Sequence, residues 1–455
     1  MTFADRYTLA LFAGITVLVA AIVVALDPTS ILAVALLPAI VAAALFAWGA
    51  LQGSKMSVLL LLFVAVFMID AVFRVRAYDD KGIDFQVALK LGVWLAIAGV
   101  ALLHARDWLA NVLTATNVPV VMFLLWLAVS AAYSPVPAYS AIAAFSIVAY
   151  VIFAAYLFAT LDQVDIFGLI VFALIAFCIV SIIVYFAVPH FGHYVYWVNG
   201  ERYLSPRLAG IAGSANNMGR IAALALVIIG LYARELYQRH GLLVPFGALI
   251  AVAALVLTNS RTSMAMVAAI LFATYFLSWR RLYAIVFVIS AGLVAVAMLL
   301  PAGDEILRLI SRSGSLDEVT SMTGRTDIWY AVAKLAEARP LTGFGYGSSV
   351  FVLPQHERDI GFLTSHAHNL MLQLYLTTGW VGVMLFSMSV LTVGLRAIMN
   401  GDRVVLALLS FVLLNGVTES SGFTTVANIC SFAFALAVTF PNSRVVYDYD
   451  PAHQR

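Results

Sequence analysis

Charged residues are scarce in this chain. Asp, Glu, Lys and Arg together make up 11% of its 455 residues, against about 25% in a soluble globular domain. The formal net charge is only +2, so the strongly basic surface of a nucleic-acid-binding protein is absent. The two cysteines, Cys178 and Cys430, both lie in apolar runs, so no disulfide framework is implied. The composition therefore excludes a soluble domain and a nucleic-acid partner.

Hydrophobic residues, by contrast, make up 64% of the chain, and the mean hydropathy is +1.01. Apolar runs of about 20 residues, long enough to cross a bilayer, recur along its length. We therefore predict an all-α fold, a polytopic transmembrane helical bundle with about 12–14 spans. The first run, Tyr7–Leu26, is followed by no small-residue cleavage site, and we interpret it as a span rather than a removable signal.

Basic residues in the short connections predict the orientation of this bundle. Lys55, Arg106 and Arg234 lie in connections that alternate with others lacking any base, which places the N-terminus on the cytoplasmic side. Two regions then lie on the outer, periplasmic side, namely His190–Asn216 and the long loop Pro301–Ser365. Charge in such a long loop does not alter this prediction, because long loops translocate regardless of charge.

The periplasmic loop contains one predicted amphipathic helix, Thr326–Glu337. Helical periodicity brings five apolar side chains onto one face, and Pro340 follows the helix as a stop signal. The apolar residues are Ile328, Trp329, Val332, Leu335 and Ala336. We expect this helix to lie over the membrane-embedded core.

Polar groups that are costly beside a bilayer mark the candidate site. His366 and His368 precede a long apolar segment, where an imidazole serves chemistry or proton sensing. Arg261 lies in a very short hairpin between two apolar segments, and its planar guanidinium suits a phosphate or carboxylate. Simpler interpretations are that Arg261 only reaches lipid head groups and that His368 only caps the start of a helix.

Short motifs follow one another in a defined order around the long loop. They are Arg207-Leu208-Ala209-Gly210, Gly213-Ser214-Ala215-Asn216-Asn217-Met218-Gly219, Ser260-Arg261-Thr262, Gly324-Arg325-Thr326-Asp327-Ile328-Trp329, Pro340-Leu341-Thr342-Gly343-Phe344-Gly345 and His368-Asn369. In this order they resemble the O-antigen ligase/polymerase superfamily over Arg202 to Glu419. His366-Ala367-His368-Asn369 together with Asn415-Gly416-Val417-Thr418-Glu419-Ser420 is most similar to its exopolysaccharide-polymerase branch.

The resemblance implies an inner-membrane transferase that acts on the periplasmic side. Its donor would be a glycan linked to undecaprenyl pyrophosphate, and its acceptor a sugar hydroxyl of another glycan (polymerase) or of lipid A-core (ligase). Neither a metal nor another cofactor is expected, because the pyrophosphate is already an activated leaving group. By this resemblance Arg207 and Arg261 contact the pyrophosphate, and His368 is the catalytic residue. Supporting roles fall to Arg325, His366 and Asn369.

Three parts of the chain follow from this interpretation. Residues 1–188 form N-terminal transmembrane helices, residues 189–440 form the ligase/polymerase-like core with the loop 301–365, and residues 441–455 form a cytoplasmic tail. Besides its two substrates, the protein would contact membrane lipids, and polysaccharide-export or chain-length proteins are candidate partners.

Three alternatives stay open at this stage: a metal site, a transporter or flippase, and a non-catalytic scaffold of a polysaccharide-export complex. A metal site has ligand-type residues but lacks a recognisable spacing; its candidates are His356, Glu357, Asp359, His366 and His368. A transporter or flippase for lipid-linked glycans is permitted by the number of spans. However, a carrier should place charged groups near the bilayer midplane between related halves, and intramembrane acids are scarce here.

Overall fold

The computed structural model describes residues 49, 54–74, 84–198, 201–276, 325–357, 364–420 and 422–441. Helices dominate these residues, which confirms the predicted all-α class. They are α1 Lys55–Ile69, α2 Phe85–Leu103, α3 Ala105–Val112, α4 Val118–Val129, α5 Pro137–Thr160, α6 Gln163–Ala187, α7 Ala215–Leu231, α8 Ala233–His240, α9 Leu243–Thr258, α10 Arg261–Phe276, α11 Arg325–Ala336, α12 Ser349–Gln355, α13 Leu370–Asn400, α14 Arg403–Thr418 and α15 Ile429–Thr439.

Within the described ranges, five helical stretches are long and apolar enough to cross a bilayer. They are Phe85–Leu103, Ala115–Tyr133, Pro137–Thr160, Gln163–Ala187 and Leu370–Asn400. The bent pair α7 and α8 would make a sixth span, and shorter apolar helices accompany them. The protein is thus a multi-pass membrane protein. The total of about 12–14 spans stays a prediction, because several of them fall outside the described residues.

The chain forms two compact units. The first comprises the described parts of Met1–Trp108 and Ile152–Phe272, and the second those of Leu109–Val151 and Ala273–Arg455. In the first unit α6 packs against α1, α7 and α9. In the second unit α13 packs against α4, α11 and α14, and α14 packs against α15. Four fully buried aromatic rings, Phe123, Phe386, Phe423 and Phe434, contact one another in this second unit.

One predicted span differs from the structure. The apolar run Asn217–Tyr237 is one of the 12–14 spans that the sequence predicts, but the apolar helix ends at Leu231 and the chain turns by 88° into α8. The reason is local charge, since α8 carries two arginines and a glutamate that a bilayer core would reject. Arg239 on α8 instead pairs with Asp162 at 3.4 Å and with Asp165 at 2.9 Å.

A β-hairpin interrupts the helices and was not predicted. Strand β1 (His193–Val198) pairs antiparallel with β2 (Glu201–Leu208), with a register shift between His193 and Tyr194. The hairpin lies in the region His190–Asn216 that the topology prediction places outside the membrane. Its alternation of aromatic and β-branched residues suits a pleated strand.

The long helix α13 is broken at Gly379, whose φ of +66° lies in the left-handed region. The loop Pro340–Gly345 hydrogen-bonds to the main-chain groups around the break. Phe344 N donates to Leu376 O at 2.9 Å, Gly345 N to Thr377 O at 2.7 Å, and Trp380 N to Pro340 O at 2.8 Å. A Cβ on Gly343 (φ +67°) would lie 2.5 Å from the Thr377 carbonyl carbon. The loop Pro340–Gly345 therefore stabilises the break in α13. Glycine is required at position 343 because the two main chains approach each other closely there.

Candidate functional site

The segment His366–Asn369 ends at the start of α13 and is anchored on both sides of His368. Asn369 caps the helix, since its Oδ1 accepts from Leu372 N at 3.0 Å, and its Nδ2 donates to Val417 O at 3.3 Å. On the other side Ala367 N donates to Gln373 Oε1 at 2.9 Å. Asn369 is 3% exposed, and Ala367 and Gln373 are fully buried. His368 is thus held between two buried neighbours.

The amphipathic helix predicted from the sequence lies beneath this segment. The prediction was Thr326–Glu337, and the structure has α11 at Arg325–Ala336. Its apolar residues Ile328, Val332 and Ala336 are buried in one cluster with Ala367, while the partly buried residues Trp329 and Leu335 pack against that cluster. The predicted apolar face is confirmed, and it contacts the histidine segment directly. Whether this part of the chain is periplasmic stays a prediction.

His368 has an unusual main-chain conformation and a charged partner. Its φ of +51° lies in the left-handed region, where residues other than glycine are uncommon. Such a conformation costs on the order of 1–3 kcal/mol and often marks a functional site. The His368 Nδ1 atom lies 3.3 Å from Oε2 of Glu419, the residue that follows α14. The His368 side chain is 24% exposed and that of Glu419 only 11%.

Glu419 was not among the candidate site residues in the sequence, and its contact with His368 was not predicted. The two residues are 51 positions apart, so no local spacing could reveal the pair. The available signal was compositional, because an acid at the end of an apolar segment is rare in a membrane protein. The histidine just before another apolar segment offered the matching partner.

The ring of His366 also contacts that of His368, with centroids 4.1 Å apart. His366 Nδ1 lies 2.9 Å from Ser365 Oγ, and its carbonyl accepts from Thr364 Oγ1 at 2.9 Å. In a helix these two side chains would face apart, because alternate residues do not share a face. That argument does not apply, because α13 begins only at Leu370.

His366, His368 and Glu419 could together hold a metal ion, since one ligand atom of each lies within 4.8 Å of the others. Tetrahedral zinc binds nitrogen at about 2.0–2.1 Å, so the ligand atoms of a zinc site lie closer to one another than 4.8 Å. His368 Nδ1 already contacts the Glu419 carboxylate. Of the other sequence candidates, His356 Nδ1 lies 3.0 Å from Val352 O, and Asp359 falls outside the described residues. The arrangement fits a histidine–carboxylate pair better than a preformed zinc site.

The two arginines expected to bind pyrophosphate belong to the first unit. Arg207, near the end of β2, donates from Nε to Thr258 O at 2.9 Å and from Nη2 to Asn216 Oδ1 at 3.1 Å. Thr258 ends α9, and Arg261 begins α10 three residues later, after Asn259 in the left-handed conformation. The short hairpin predicted around Arg261 is therefore present, and Arg207 contacts its first residue. Arg261 itself is exposed.

The glycine motif after Arg207 has a packing role. A Cβ on Gly219 would lie 2.8 Å from Cβ of Ser260 and 2.9 Å from Oγ of Ser263. This close approach brings the start of α7 against the hairpin that carries Arg261. Gly210 and Gly213 have φ values of +53° and +67°, which glycine adopts without strain.

The remaining expectations stay predictions. Arg325 begins α11, but its side chain lies outside the described part of the chain. Arg207 and Arg261 belong to one unit and His368 to the other. The roles that the resemblance gives to these three residues stay predictions. The division into residues 1–188, 189–440 and 441–455 likewise stays a prediction.

Residues 246–387 match the family model described as O-antigen ligase. The chain is O-antigen ligase/polymerase-like. The matched segment runs from α9 into α13, so it includes Arg261, His366 and His368, whereas Arg207 and Glu419 lie outside it. This similarity indicates a glycosyltransferase-like ligase or polymerase. No curated protein matches the chain.

Proposed function

We propose that this O-antigen ligase/polymerase-like protein is an inner-membrane glycosyltransferase that acts on the periplasmic side. It transfers a glycan from undecaprenyl pyrophosphate to a sugar hydroxyl, in polymerisation of a surface polysaccharide or in ligation to lipid A-core. The observation that carries the proposal is the contact between His368 and the buried Glu419 at 3.3 Å. A partly exposed imidazole held by a carboxylate is the arrangement of a general base.

In this mechanism Glu419 fixes the protonation of the imidazole. The carboxylate accepts a hydrogen bond from Nδ1–H of His368, which leaves the lone pair of Nε2 for the substrate. Nε2 then removes the proton of the acceptor hydroxyl as its oxygen attacks the anomeric carbon of the donor. The bond between that carbon and the pyrophosphate oxygen breaks, and undecaprenyl pyrophosphate leaves with the bonding electrons. The Glu419 carboxylate stabilises the imidazolium that forms.

Arg207 and Arg261 hold the pyrophosphate and stabilise its charge as it leaves. A guanidinium presents paired N–H donors that match two phosphate oxygens, and the contact of Arg207 with Thr258 brings it to the turn preceding Arg261. Because the donor is already activated, the reaction needs neither a nucleotide nor a metal. Asn369 positions His368, while His366 and Arg325 support the site.

The direct test uses the purified full-length protein in nanodiscs with a glycan lipid extracted from the organism's own membranes. Wild type should transfer the glycan without added nucleotide and in the presence of EDTA. His368→Ala should abolish transfer without changing thermal unfolding. His104→Ala is the matched control, because this histidine belongs to the first unit, where its Nδ1 lies 3.0 Å from Val100 O and its ring contacts that of Tyr156.

The products separate the remaining alternatives. Chain ladders formed without lipid A-core indicate a polymerase, whereas products formed only with lipid A-core indicate a ligase. Full transfer by His368→Ala would contradict the catalytic role. Glycan movement across proteoliposomes without any new glycosidic bond would favour the transporter or flippase. Inhibition by EDTA that a divalent ion reverses would restore the metal interpretation around His366.

A further inference from the structure

The β-hairpin presents a row of aromatic rings on one face. In the register of the two strands Tyr196 lies opposite Tyr203, and Tyr194 lies two residues before Tyr196 on β1. Because side chains alternate along a strand, these three tyrosines share a face. The pair Val195 and Leu204 lies on the other face. The tyrosine row is therefore a consequence of strand pairing.

The three rings of the tyrosine row are nearly parallel. The centroids of Tyr196 and Tyr203 are 5.7 Å apart with an angle of 23° between the planes. Those of Tyr194 and Tyr196 are 6.2 Å apart at 20°. Tyr196 is 39% exposed and Tyr203 is 41% exposed. Ring surface thus remains available to a ligand along this face.

The row ends at Arg207, whose guanidinium carbon lies 5.4 Å from the centroid of the Tyr194 ring. The contact is within the range of a cation–π interaction. Hydrogen bonds to Thr258 O and Asn216 Oδ1 fix the same guanidinium. An anion bound at Arg207 would therefore have aromatic rings next to it on one side.

We infer that the tyrosine row binds the sugar residues of the donor that lie nearest to its pyrophosphate. The inference rests on the proposed function, in which Arg207 holds that pyrophosphate. The face of a pyranose ring carries C–H groups of slight positive charge, and these are attracted to the negative faces of aromatic rings. A charged group at one end and rings along the row complement a ligand with phosphate at one end and sugars beyond it.

A second interpretation is that the tyrosine row contacts lipid head groups, because tyrosines of membrane proteins are common at that depth. That reading explains isolated exposed tyrosines. It gives no reason for three nearly parallel rings that end at the arginine expected to bind pyrophosphate. The sugar-binding role also explains why a hairpin, which fixes side-chain spacing, is present in a helical protein.

The test measures binding rather than transfer, with full-length protein in nanodiscs. Two probes are compared, the glycan lipid extracted from the organism's membranes and undecaprenyl pyrophosphate without sugars. Tyr196→Ala and Tyr203→Ala should each weaken binding of the glycan lipid by about 3- to 10-fold. Binding of the sugar-free lipid should stay unchanged. Tyr196→Phe should retain binding, and Tyr237→Ala removes an exposed tyrosine from α8 as the matched control.

Each other outcome has a defined meaning. Equal weakening of both probes, no weakening of either, or equal affinity of the wild type for both probes overturns the inference and leaves the row as a membrane-interface contact. Unchanged thermal unfolding shows that the variants are folded. If the glycan lipid shows the selective loss but the wild type forms no glycosidic bond, the transferase proposal fails while the sugar-binding row stands.

Discussion

Replacement of Glu419 by glutamine tests the base assignment most sharply. The change keeps the size of the side chain and removes the charge that lies 3.3 Å from His368 Nδ1. Glutamine can also present its NH₂ group to Nδ1, which would favour the proton on Nε2 and block the base. The expected result is a lower kcat with an unchanged KM, because the partner acts mainly on the transition state.

The size of the expected loss in kcat follows from the geometry of the pair formed by His368 and Glu419. Unit charges about 4 Å apart attract by about 4 kcal/mol at an effective dielectric constant of about 20. Solvent reaches His368, which is 24% exposed, so the smaller value typical of a hydrogen bond to a charged group, about 1.5–3 kcal/mol, is appropriate. Loss of that energy lowers kcat by about 10- to 150-fold.

The assay records initial rates of glycan transfer by full-length protein from low to high pH. Without the carboxylate the imidazolium that forms during transfer loses its stabilising charge, so kcat should fall. Glu235→Gln, which removes an exposed acid on α8, is the control for charge loss. A kcat within twofold of the wild type would refute the assignment of Glu419.

Three further predictions concern binding, position and stability. Arg261→Lys should raise the KM for the donor about tenfold or more, because a point charge cannot copy the two-pronged grip on phosphate; an unchanged KM would exclude that contact. Asn369→Asp keeps the helix cap but loses the Nδ2 donor to Val417 O, so kcat should fall while the melting temperature changes little. A lower melting temperature with an unchanged kcat would indicate a purely structural residue. Gly343→Ala should destabilise by more than about 2 kcal/mol in thermal unfolding, while Gly99→Ala, with nothing within 4 Å of the added Cβ, should not.

Local patterns in the sequence predicted the features that depend on local interactions. The apolar stripe of α11 was found because burial on one face requires the same period along the chain. The short hairpin before Arg261 was found because two apolar segments leave only a few residues between them. Neither prediction needed knowledge of distant contacts, and both agree with the structure.

Other features depend on long-range contacts or on main-chain conformations that residue types do not specify. The pairing of His368 with Glu419 joins two segments 51 residues apart. The left-handed conformation of His368 places the ring of His366 against it, which helical spacing would forbid. The hairpin β1–β2 was missed although its residues alternate, because a short outer segment between spans offered no second signal. The turn before α8 was missed because a window of mean apolarity conceals a charged end.

The anchoring of His368 would keep the proposed base in one orientation. Asn369 is its direct neighbour, and Val417 lies two residues before Glu419, so the hydrogen bond of 3.3 Å between Asn369 and Val417 joins the chain segments that carry the two side chains. On the opposite side Ala367 is held by Gln373 and covered by α11. A left-handed residue between two fixed neighbours has few other conformations available. Because the imidazole and the carboxylate are fixed by adjacent main-chain contacts, little reorganisation is needed at the moment of proton transfer, which is the condition for electrostatic catalysis.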